Sequence, residues 1–260
     1  MTEKETKKFT PSNVFEGMTS ISALLGSTCD NDRTVERIWI DQRKKKTKER
    51  EIAFLLAKSK EMGFPVEFVT AEQIEEISVG SSHGGILAFC SDRHIPTVCR
   101  ESIREDGFYV YLEGIEDPYN FGYTVRSLYA AGVDGVLLPP RNWMSAAGVV
   151  ARASAGASEL IPMMTGSADE VVTAFREAGY SILCAGIRDS VSIFEEALPL
   201  PALLVIGGEK RGISRNLLEK ADQIVRIDYG RQFRGSLSAA SAATVMAFEI
   251  MRKNGRFSKE

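Results

Sequence analysis

The sequence has little of what disulfide-stabilised, zinc-binding or membrane proteins need. Its four cysteines are far apart and show no C-x-x-C spacing, so neither a disulfide framework nor a metal site is indicated. No apolar run approaches the ~20 residues that span a bilayer, and the first residues, MTEKETKKF, are charged where a signal peptide is apolar. We therefore expect a cytoplasmic protein with reduced, mostly buried thiols, no membrane association and no metal.

The sequence also lacks the excess of positive charge that many nucleic-acid-binding proteins carry. Its formal net charge is −3 at pH 7, so an anionic partner must be met by a local patch. The densest basic cluster contains Arg43, Lys44, Lys45, Lys46, Lys48 and Arg50. Taken alone, this cluster fits a solvated loop as well as a surface that grips phosphates.

The length and the order of elements predict an α/β protein with two domains. At 260 residues the chain suits one large domain or two smaller ones. Residues 1–105 alternate short helices and strands and end in a polar stretch, Ser91 to Asp106, that is typical of a linker. Residues 106–260 alternate helices with apolar strands such as Leu203 to Ile206. This pattern predicts a mostly parallel sheet with helices on both faces and ligands at the carboxyl ends of its strands.

Several predicted boundaries of helices and strands are each inferred from one local sequence pattern. Apolar residues at helical spacing predict a helix from Asn13 onward, and a helix from Lys48 to Met62 with Leu56 on its buried face. The stretch Leu160 to Met163 has strand character, whereas Asn142 to Ser154 is typical of a helix. The terminal helix is expected from Ser236 to Arg252, with basic residues in its last turn.

Three stretches at the junctions between strands and helices hold the residues suited to chemistry. They are Asn120 to Arg126 (NFGYTVR), Gly207 to Ser214 (GGEKRGIS) and Arg234 to Thr244 (RGSLSAASAAT). Each places glycine or a small hydroxyl residue where a backbone can approach a ligand closely. The first strand of the second block is followed by EGIEDPYNFG and not by G-x-G-x-x-G, which disfavours a dinucleotide site and a small-molecule enzyme of the doubly wound type.

Together and in this order, the three stretches resemble the signature motifs of the SpoU/TrmH family of RNA ribose 2′-O-methyltransferases, members of the SPOUT superfamily. The resemblance implies a deep trefoil knot in the second domain, S-adenosylmethionine as cofactor and a homodimer formed through that domain. The first block resembles the family's small ribosomal-protein-like α/β domain, with His83 and Gly85 matching its H-Q-G segment and Gly84 standing where glutamine is usual. This second resemblance implies an RNA substrate, with ribosomal RNA favoured over transfer RNA. We expect His83 itself to have a structural role.

The resemblance also implies roles for particular residues. The catalytic candidates are Asn120, Arg126, Glu209, Ser236 and Ser238. The candidates for binding S-adenosylmethionine are Ile206, Gly207, Gly208, Glu209, Gly212, Ile227, Ser236 and Leu237. The candidates for binding RNA are Arg43, Lys44, Lys45, Lys46, Arg231 and Arg234.

The spacing of the first motif separates its two polar residues. Asn120 and Arg126 are six positions apart and do not share a helical face, so we expect Asn120 in the loop before the helix and Arg126 within it. With a pKa above 12, a guanidinium is a poor base, so we expect Arg126 to hold an RNA phosphate. The alternative is a structural ion pair with Glu113 or Glu116. Glu209 either holds the target ribose or orients Arg126.

The sequence departs from the family motifs at three positions. Gly208 and Lys210 stand where serine and a second glycine are usual, and Ser238 stands where asparagine is usual. Serine keeps a hydroxyl but loses the second donor of the amide. Ser238 therefore leaves open an alternative interpretation, an RNA-binding or ribosome-assembly protein that kept the fold and lost turnover.

Overall fold

The computed structural model describes residues 13–27, 31–80, 83–140 and 146–257. Its strands are β1 Val14–Glu16, β2 Val35–Asp41, β3 Val66–Val69, β4 Ile86–Cys90, β5 Phe108–Glu113, β6 Gly135–Leu138, β7 Met163–Thr165, β8 Ser181–Ala185, β9 Val191–Ser192, β10 Ala202–Gly207 and β11 Gln223–Arg226. Its α-helices are α1 Gly17–Leu25, α2 Glu49–Met62, α3 Ala71–Ile77, α4 Pro118–Ala130, α5 Ala147–Ala153, α6 Ala157–Leu160, α7 Ala168–Glu177, α8 Arg215–Glu219 and α9 Ala239–Lys253. Within these ranges no helix is long and apolar enough to cross a bilayer.

The chain packs into two compact units. The first comprises residues 1–94 and 142–160, and the second comprises residues 95–141 and 161–260. By packing, the segment 142–160 therefore goes with the N-terminal part of the chain, whereas the sequence suggests contiguous domains that meet at residue 105.

The first unit is built on a four-stranded mixed sheet in the order β1-β4-β2-β3. Strand β4 runs antiparallel to β1 and β2, and β3 runs parallel to β2. The helix expected from Asn13 begins later, at Gly17, because Val14 pairs with Phe89 of β4 and extends the sheet. Leu56 of α2 is exposed, since the buried face of that helix is formed by Ile52 and Leu55.

A buried ion pair fixes α6 within this unit. Arg33 Nε lies 3.1 Å from Glu159 Oε2, and the two side chains are only 1% and 3% exposed. Arg33 also donates to the carbonyl oxygen of Ser91, and Asn31 Nδ2 donates to the Glu159 carboxylate. Buried charges are tolerated when they are paired and hydrogen-bonded in this way.

The second unit contains a seven-stranded sheet in the order β7-β6-β5-β10-β8-β11-β9, and every neighbouring pair of its strands is parallel. On one face, Tyr109, Tyr111 and Leu203 pack with Phe175 of α7. Alternate residues of each strand face the other side, where α9 packs against β10 and α4. The predicted α/β fold with a parallel sheet covered by helices is confirmed; the trefoil knot stays a prediction.

Two boundaries in the second half differ from expectation. The strand expected at Leu160 to Met163 is Met163–Thr165, because Leu160 ends α6 and Met163 is the first residue to pair with β6. The terminal helix starts at Ala239 because the Ser238 side chain caps its first turn. Of the helix expected at Asn142 to Ser154, the first four residues lie outside the described residues.

The cysteines differ in exposure, which predicts their reactivity. Burial raises the pKa of both Cys90 and Cys184 to about 12, whereas Cys99 is exposed. Because the thiolate is the reactive form, iodoacetamide at pH 8 should modify Cys99 in the native protein and reach Cys90 and Cys184 only after unfolding in urea. Peptide mass mapping of native and unfolded samples measures this. Equal labelling of Cys184 and Cys99 in the native protein would contradict the burial described.

Candidate active site

A cavity of about 680 Å³ lies at the carboxyl ends of β8, β10 and β11. All eight residues predicted to bind the cofactor line it, namely Ile206, Gly207, Gly208, Glu209, Gly212, Ile227, Ser236 and Leu237. The start of α9 closes one side through Ala239, Ala242 and Met246. Because these strands are parallel, their carboxyl ends meet at one edge of the sheet, where α/β proteins bind ligands.

A turn made of backbone alone forms one wall of the cavity. The Gly212 N–H donates to the carbonyl oxygen of Gly208 over 2.8 Å, and Gly212 has a φ of +63° that favours glycine. A Cβ on Gly207 would lie 2.3 Å from the carbonyl carbon of Gly212 and 2.5 Å from the backbone nitrogen of Ile213. Glycine at position 207 is therefore required for the turn to close.

The backbone of Gly208 lies equally close to the segment that follows β5. The Gly208 N–H donates to the carbonyl oxygen of Glu113 over 2.6 Å. A Cβ on Gly208 would lie 2.0 Å from the carbonyl oxygen of Gly114. A side chain at position 208 would thus collide with the segment after β5, so glycine fits here where the family usually has serine.

Side chains add two further ties between the same segments. The Ser214 N–H donates to Glu113 Oε2 over 2.7 Å, and Lys210 Nζ lies 3.1 Å from Glu116 Oε2. Ser214 occupies the residue before α8, but its own side chain makes no capping bond. Lys210, the second departure from the motif, thus contributes to holding the turn.

Asn120 and Glu209 are brought together beside the main cavity. Asn120 Nδ2 donates to Glu209 Oε1 over 3.3 Å, and both residues line a smaller adjoining cavity of about 100 Å³. Asn120 lies within the first turn of α4 and not in the loop before it. The reason is that Asp117 caps the helix, accepting the Asn120 N–H over 2.8 Å, and Pro118 takes its first position.

Arg126 is not brought to either cavity. It is exposed on the face of α4 that also presents Tyr119 and Tyr123, and it makes no hydrogen bond or ion pair within the described residues. The alternative ion pairs are not formed, since Glu113 accepts the Ser214 N–H and Glu116 pairs with Lys210. Glu209 contacts Asn120 and does not orient Arg126.

Ser238 is engaged as a helix cap. Its Oγ accepts the Ser241 N–H over 3.2 Å and lies 3.0 Å from Ser241 Oγ. Ser236 and Leu237 line the main cavity, whereas Ser238 does not. The predicted catalytic role of Ser238 therefore has no counterpart in the cavity, because its hydroxyl stabilises the start of α9.

This cap yields a prediction for stability. Ser238→Ala should lower the free energy of unfolding by about 1 kcal/mol, because an exposed N–H in the first turn of α9 loses its acceptor. Ser238→Asn should keep the wild-type value to within about 0.5 kcal/mol, since asparagine caps helices as well as serine does. Urea unfolding of the three proteins provides the measurement. A Ser238→Ala protein as stable as wild type would show that the cap contributes nothing.

The cavity also contains residues that the sequence did not single out. Arg188, Arg211, Arg226 and Tyr229 line it. Ile187 and Asp189, which flank Arg188 on the loop after β8, also line it. Their signal was their position at or shortly after the carboxyl ends of strands in a parallel sheet, where ligand-contacting residues are expected. That signal appears only when the order of the strands is known, because β8 and β11 are neighbours in the sheet but not in the chain.

Arg226 connects two loops at the mouth of the cavity. Its Nε donates to Asp228 Oδ1 over 2.8 Å, and its Nη1 donates to the carbonyl oxygen of Ser190. The Ser192 hydroxyl and the Arg226 guanidinium together hold the pKa of Asp228 below its usual range. The carboxylate of Asp228 is thus kept charged and available to fix Arg226.

The basic cluster of the first unit is partly committed to internal contacts. Arg43 binds the Asp41 carboxylate through Nε and Nη2, and this contact lowers the pKa of Asp41. Lys45 Nζ lies 4.1 Å from the centre of the Phe68 ring. Lys44 is half-buried and Lys46 is exposed. Lys44, Lys45 and Lys46 thus remain candidates for RNA contact, while Arg43 has a structural partner.

His83 has the structural environment that was expected. Its Nδ1 accepts the N–H of Gly85 over 3.0 Å, and its Nε2 lies 3.3 Å from Glu75 Oε1. Both ring nitrogens are thus engaged near the start of β4.

The second unit and its cavity define a class: α/β proteins that hold a ligand at the carboxyl ends of parallel strands. Residues 107–248 match the SpoU rRNA Methylase family, and residues 15–96 match the RNA 2'-O ribose methyltransferase substrate binding family. A protein of Staphylococcus saprophyticus, assigned by name to the TrmH family of tRNA/rRNA methyltransferases, is 32% identical over 227 residues, covering 85% of this chain and 89% of its own. YacO of Bacillus subtilis, assigned to the same family, is 27% identical over 235 residues, covering 87% and 91%.

Solved structures agree in fold. The AdoMet-bound rRNA methyltransferase from Sinorhizobium meliloti superposes with a TM-score of 0.75 at 23% identity, covering 96% of this chain and 88% of that one. The SpoU methyltransferase AviRb from Streptomyces viridochromogenes, in complex with AdoMet, gives 0.73 at 24% identity, covering 92% and 89%. The chain belongs to the SpoU rRNA Methylase family and is an RNA methyltransferase.

Proposed function

We propose that this protein transfers a methyl group from S-adenosylmethionine to a ribose 2′-hydroxyl of RNA. The observation that carries the proposal is the 680 Å³ cavity at the strand ends, whose wall is a glycine turn closed through backbone contacts. Its volume lies within the ~300–1,000 Å³ typical of small-molecule sites. The Sinorhizobium and Streptomyces structures contain bound AdoMet, which supports the same cofactor here.

The chemistry requires positioning more than proton transfer. When bound, the cofactor supplies an electrophilic methyl group on a sulfonium, whose sulfur leaves as a neutral thioether and needs no acid assistance. Holding two reactants in line can contribute about 7–11 kcal/mol, whereas a general base typically adds ~10²–10⁴-fold. The backbone of Gly207 and Gly208 would hold the methyl donor, and Glu209 with Asn120 would contact the ribose that carries the acceptor hydroxyl.

Ribosomal RNA is the substrate we favour over transfer RNA. Support comes from the name of the family that matches residues 107–248, although the staphylococcal and Bacillus relatives are named for both kinds of RNA. Lys44, Lys45 and Lys46 of the first unit and Arg231 and Arg234 of the second are the proposed contacts to the RNA backbone. Such phosphate contacts make binding weaken as salt rises.

A homodimer through the second unit completes the proposal. Arg126 lies on an exposed face of α4 with Tyr119 and Tyr123, and it lines neither cavity of its own chain. Exposed aromatic side chains beside an arginine are typical of the central part of a protein interface. A twofold arrangement that pairs this face with a second copy would place Arg126 near the partner's cavity.

The test is transfer of labelled methyl from S-adenosylmethionine to total RNA from a strain that lacks the gene. Label that enters RNA and maps to a ribose 2′-oxygen is the expected result. Separate incubations with ribosomal and transfer RNA decide between the two substrates. Label on a base would contradict the proposed acceptor.

The alternative function is RNA binding without turnover. The observation that favours it is that the Ser238 hydroxyl caps α9 and that Ser238 is not among the residues that line the cavity. Measurable cofactor binding with no label in any RNA would support this alternative, and Ser238→Asn would then be the first variant to assay for restored transfer.

A further inference from the structure

An exposed aromatic pair lies at the edge of the main cavity. The rings of Tyr229 and Phe233 are 5.9 Å apart and tilted by 57°. Phe233 is 60% exposed, and its ring lies against Gly235, where a Cβ would be 2.7 Å from it. The Tyr229 hydroxyl accepts the N–H of Leu237 over 3.2 Å, and both residues line the cavity. The pair is therefore anchored to the cavity wall while one ring faces solvent.

Uncommitted positive charge surrounds this pair. Arg231 and Arg234 are exposed in the same segment, and Arg188 and Arg211 line the cavity. Within the described residues, none of these four guanidinium groups makes a hydrogen bond or an ion pair. Two other arginines that line the cavity are paired, Arg215 with Glu219 and Arg226 with Asp228. An acidic protein thus keeps free guanidinium groups at one place, which favours an anionic ligand there.

We propose that Phe233, supported by Tyr229, is a stacking platform for an unpaired base of the RNA, with Arg231 and Arg234 contacting the adjacent phosphates. This rests on the proposed function, and it narrows the substrate to a ribose in or beside a single-stranded segment. Bases in a duplex are stacked on each other and cannot reach a ring on the protein surface. Unpaired bases stack on aromatic side chains and on guanidinium planes regardless of sequence.

The proposal is tested with Phe233→Ala, Phe233→Trp and a matched control. Phe257→Ala removes a ring of similar exposure, 56%, near the end of the chain. The probe is a single-stranded RNA of mixed sequence containing 2-aminopurine, whose fluorescence falls on stacking, used alone and annealed to its complement. The second measurement is KM for total RNA and for S-adenosylmethionine in methyl transfer.

We expect Phe233→Ala to weaken binding of the single strand about tenfold and to remove most of the fluorescence change. Phe233→Trp should keep both, Phe257→Ala should match wild type, and the duplex should show little fluorescence change with any variant. KM for RNA should rise in Phe233→Ala while KM for S-adenosylmethionine stays the same.

Three results would overturn the stacking site. The first is that wild type does not bind the single strand, and the second is that Phe233→Ala binds it with the same affinity as wild type. The third is that Phe233→Ala differs from wild type only in its sedimentation, which would place Phe233 in an interface between copies. Failure of the proposed function is a different result. Wild type would then transfer no methyl to RNA, while the fluorescence experiment would still decide whether Phe233 stacks on a base.

Discussion

Gly207→Ala should raise the dissociation constant for S-adenosylmethionine at least about tenfold. The added methyl group would collide with the backbone at Gly212 and Ile213, at 2.3 and 2.5 Å, and backbone cannot move aside as a flexible side chain can. Opening the turn displaces the wall of the cavity, and such overpacking typically costs about 1–3 kcal/mol. Calorimetric titration with S-adenosylmethionine measures the loss.

Gly230→Ala is the matched control. Position 230 lies close to the same cavity, but a Cβ there meets nothing within 4 Å and its φ is not in the left-handed region. This variant should keep wild-type fold and cofactor affinity, so a loss specific to Gly207→Ala would be steric. Thermal unfolding of both variants separates local distortion from general unfolding. Wild-type affinity in a folded Gly207→Ala protein would show that the turn does not hold the cofactor.

Strands β5 and β10 of the second unit were predictable because their sequences are apolar almost throughout. FYVYL and LLVI have no polar alternation, as expected for parallel strands covered on both faces, and they form β5 and β10. Strand β1 was not predictable. Val14, Phe15 and Glu16 are too few for a pattern, and their extended conformation depends on pairing with β4, more than 70 residues later.

The position of Asn120 in the first turn of α4 could have been predicted from the sequence. Asp117 followed by Pro118 is a strong signal for the start of a helix, and it places Asn120 inside the first turn. The capping role of Ser238 could also have been predicted, since serine before an alanine-rich run is a common cap.

The cavity was predictable only in part. The glycine turn after β10 and the residues before α9 follow from the motifs, and the structure brings them together. Arg188 and Tyr229 could not be placed beforehand, because their loops meet the turn only through the order of β10, β8 and β11 in the sheet. The contact between Asn120 and Glu209 likewise depends on β5 lying next to β10.

Arg126→Ala should lower the rate of methyl transfer about 10²–10³-fold while leaving the dissociation constant for S-adenosylmethionine within about twofold of wild type. Arg126 lines neither cavity and makes no hydrogen bond or ion pair within the described residues, so its loss should not alter the cofactor site or the fold. Arg126→Lys should recover little, because an ammonium cannot bind a phosphate through two parallel hydrogen bonds. Single-turnover rates with the RNA identified by the labelling experiment provide the measurement. Arg176→Ala, which removes a half-exposed arginine from α7 on the other side of the sheet, is the control.

The location of Arg126 makes a second experiment decisive. If Arg126 acts on the cavity of a partner chain, mixed dimers of Arg126→Ala and Gly207→Ala should be more active than either variant alone, when assayed at an S-adenosylmethionine concentration too low to fill the Gly207→Ala cavity. One cavity in each mixed dimer would then combine an intact glycine turn with the partner's arginine, which gives about a quarter of wild-type activity after random reassortment. Absence of any recovery, with mixed dimers verified by mass spectrometry, would show that Arg126 acts at the cavity of its own chain. In that case α4 would have to rotate or shift when RNA binds, since Arg126 lines neither cavity of its own chain.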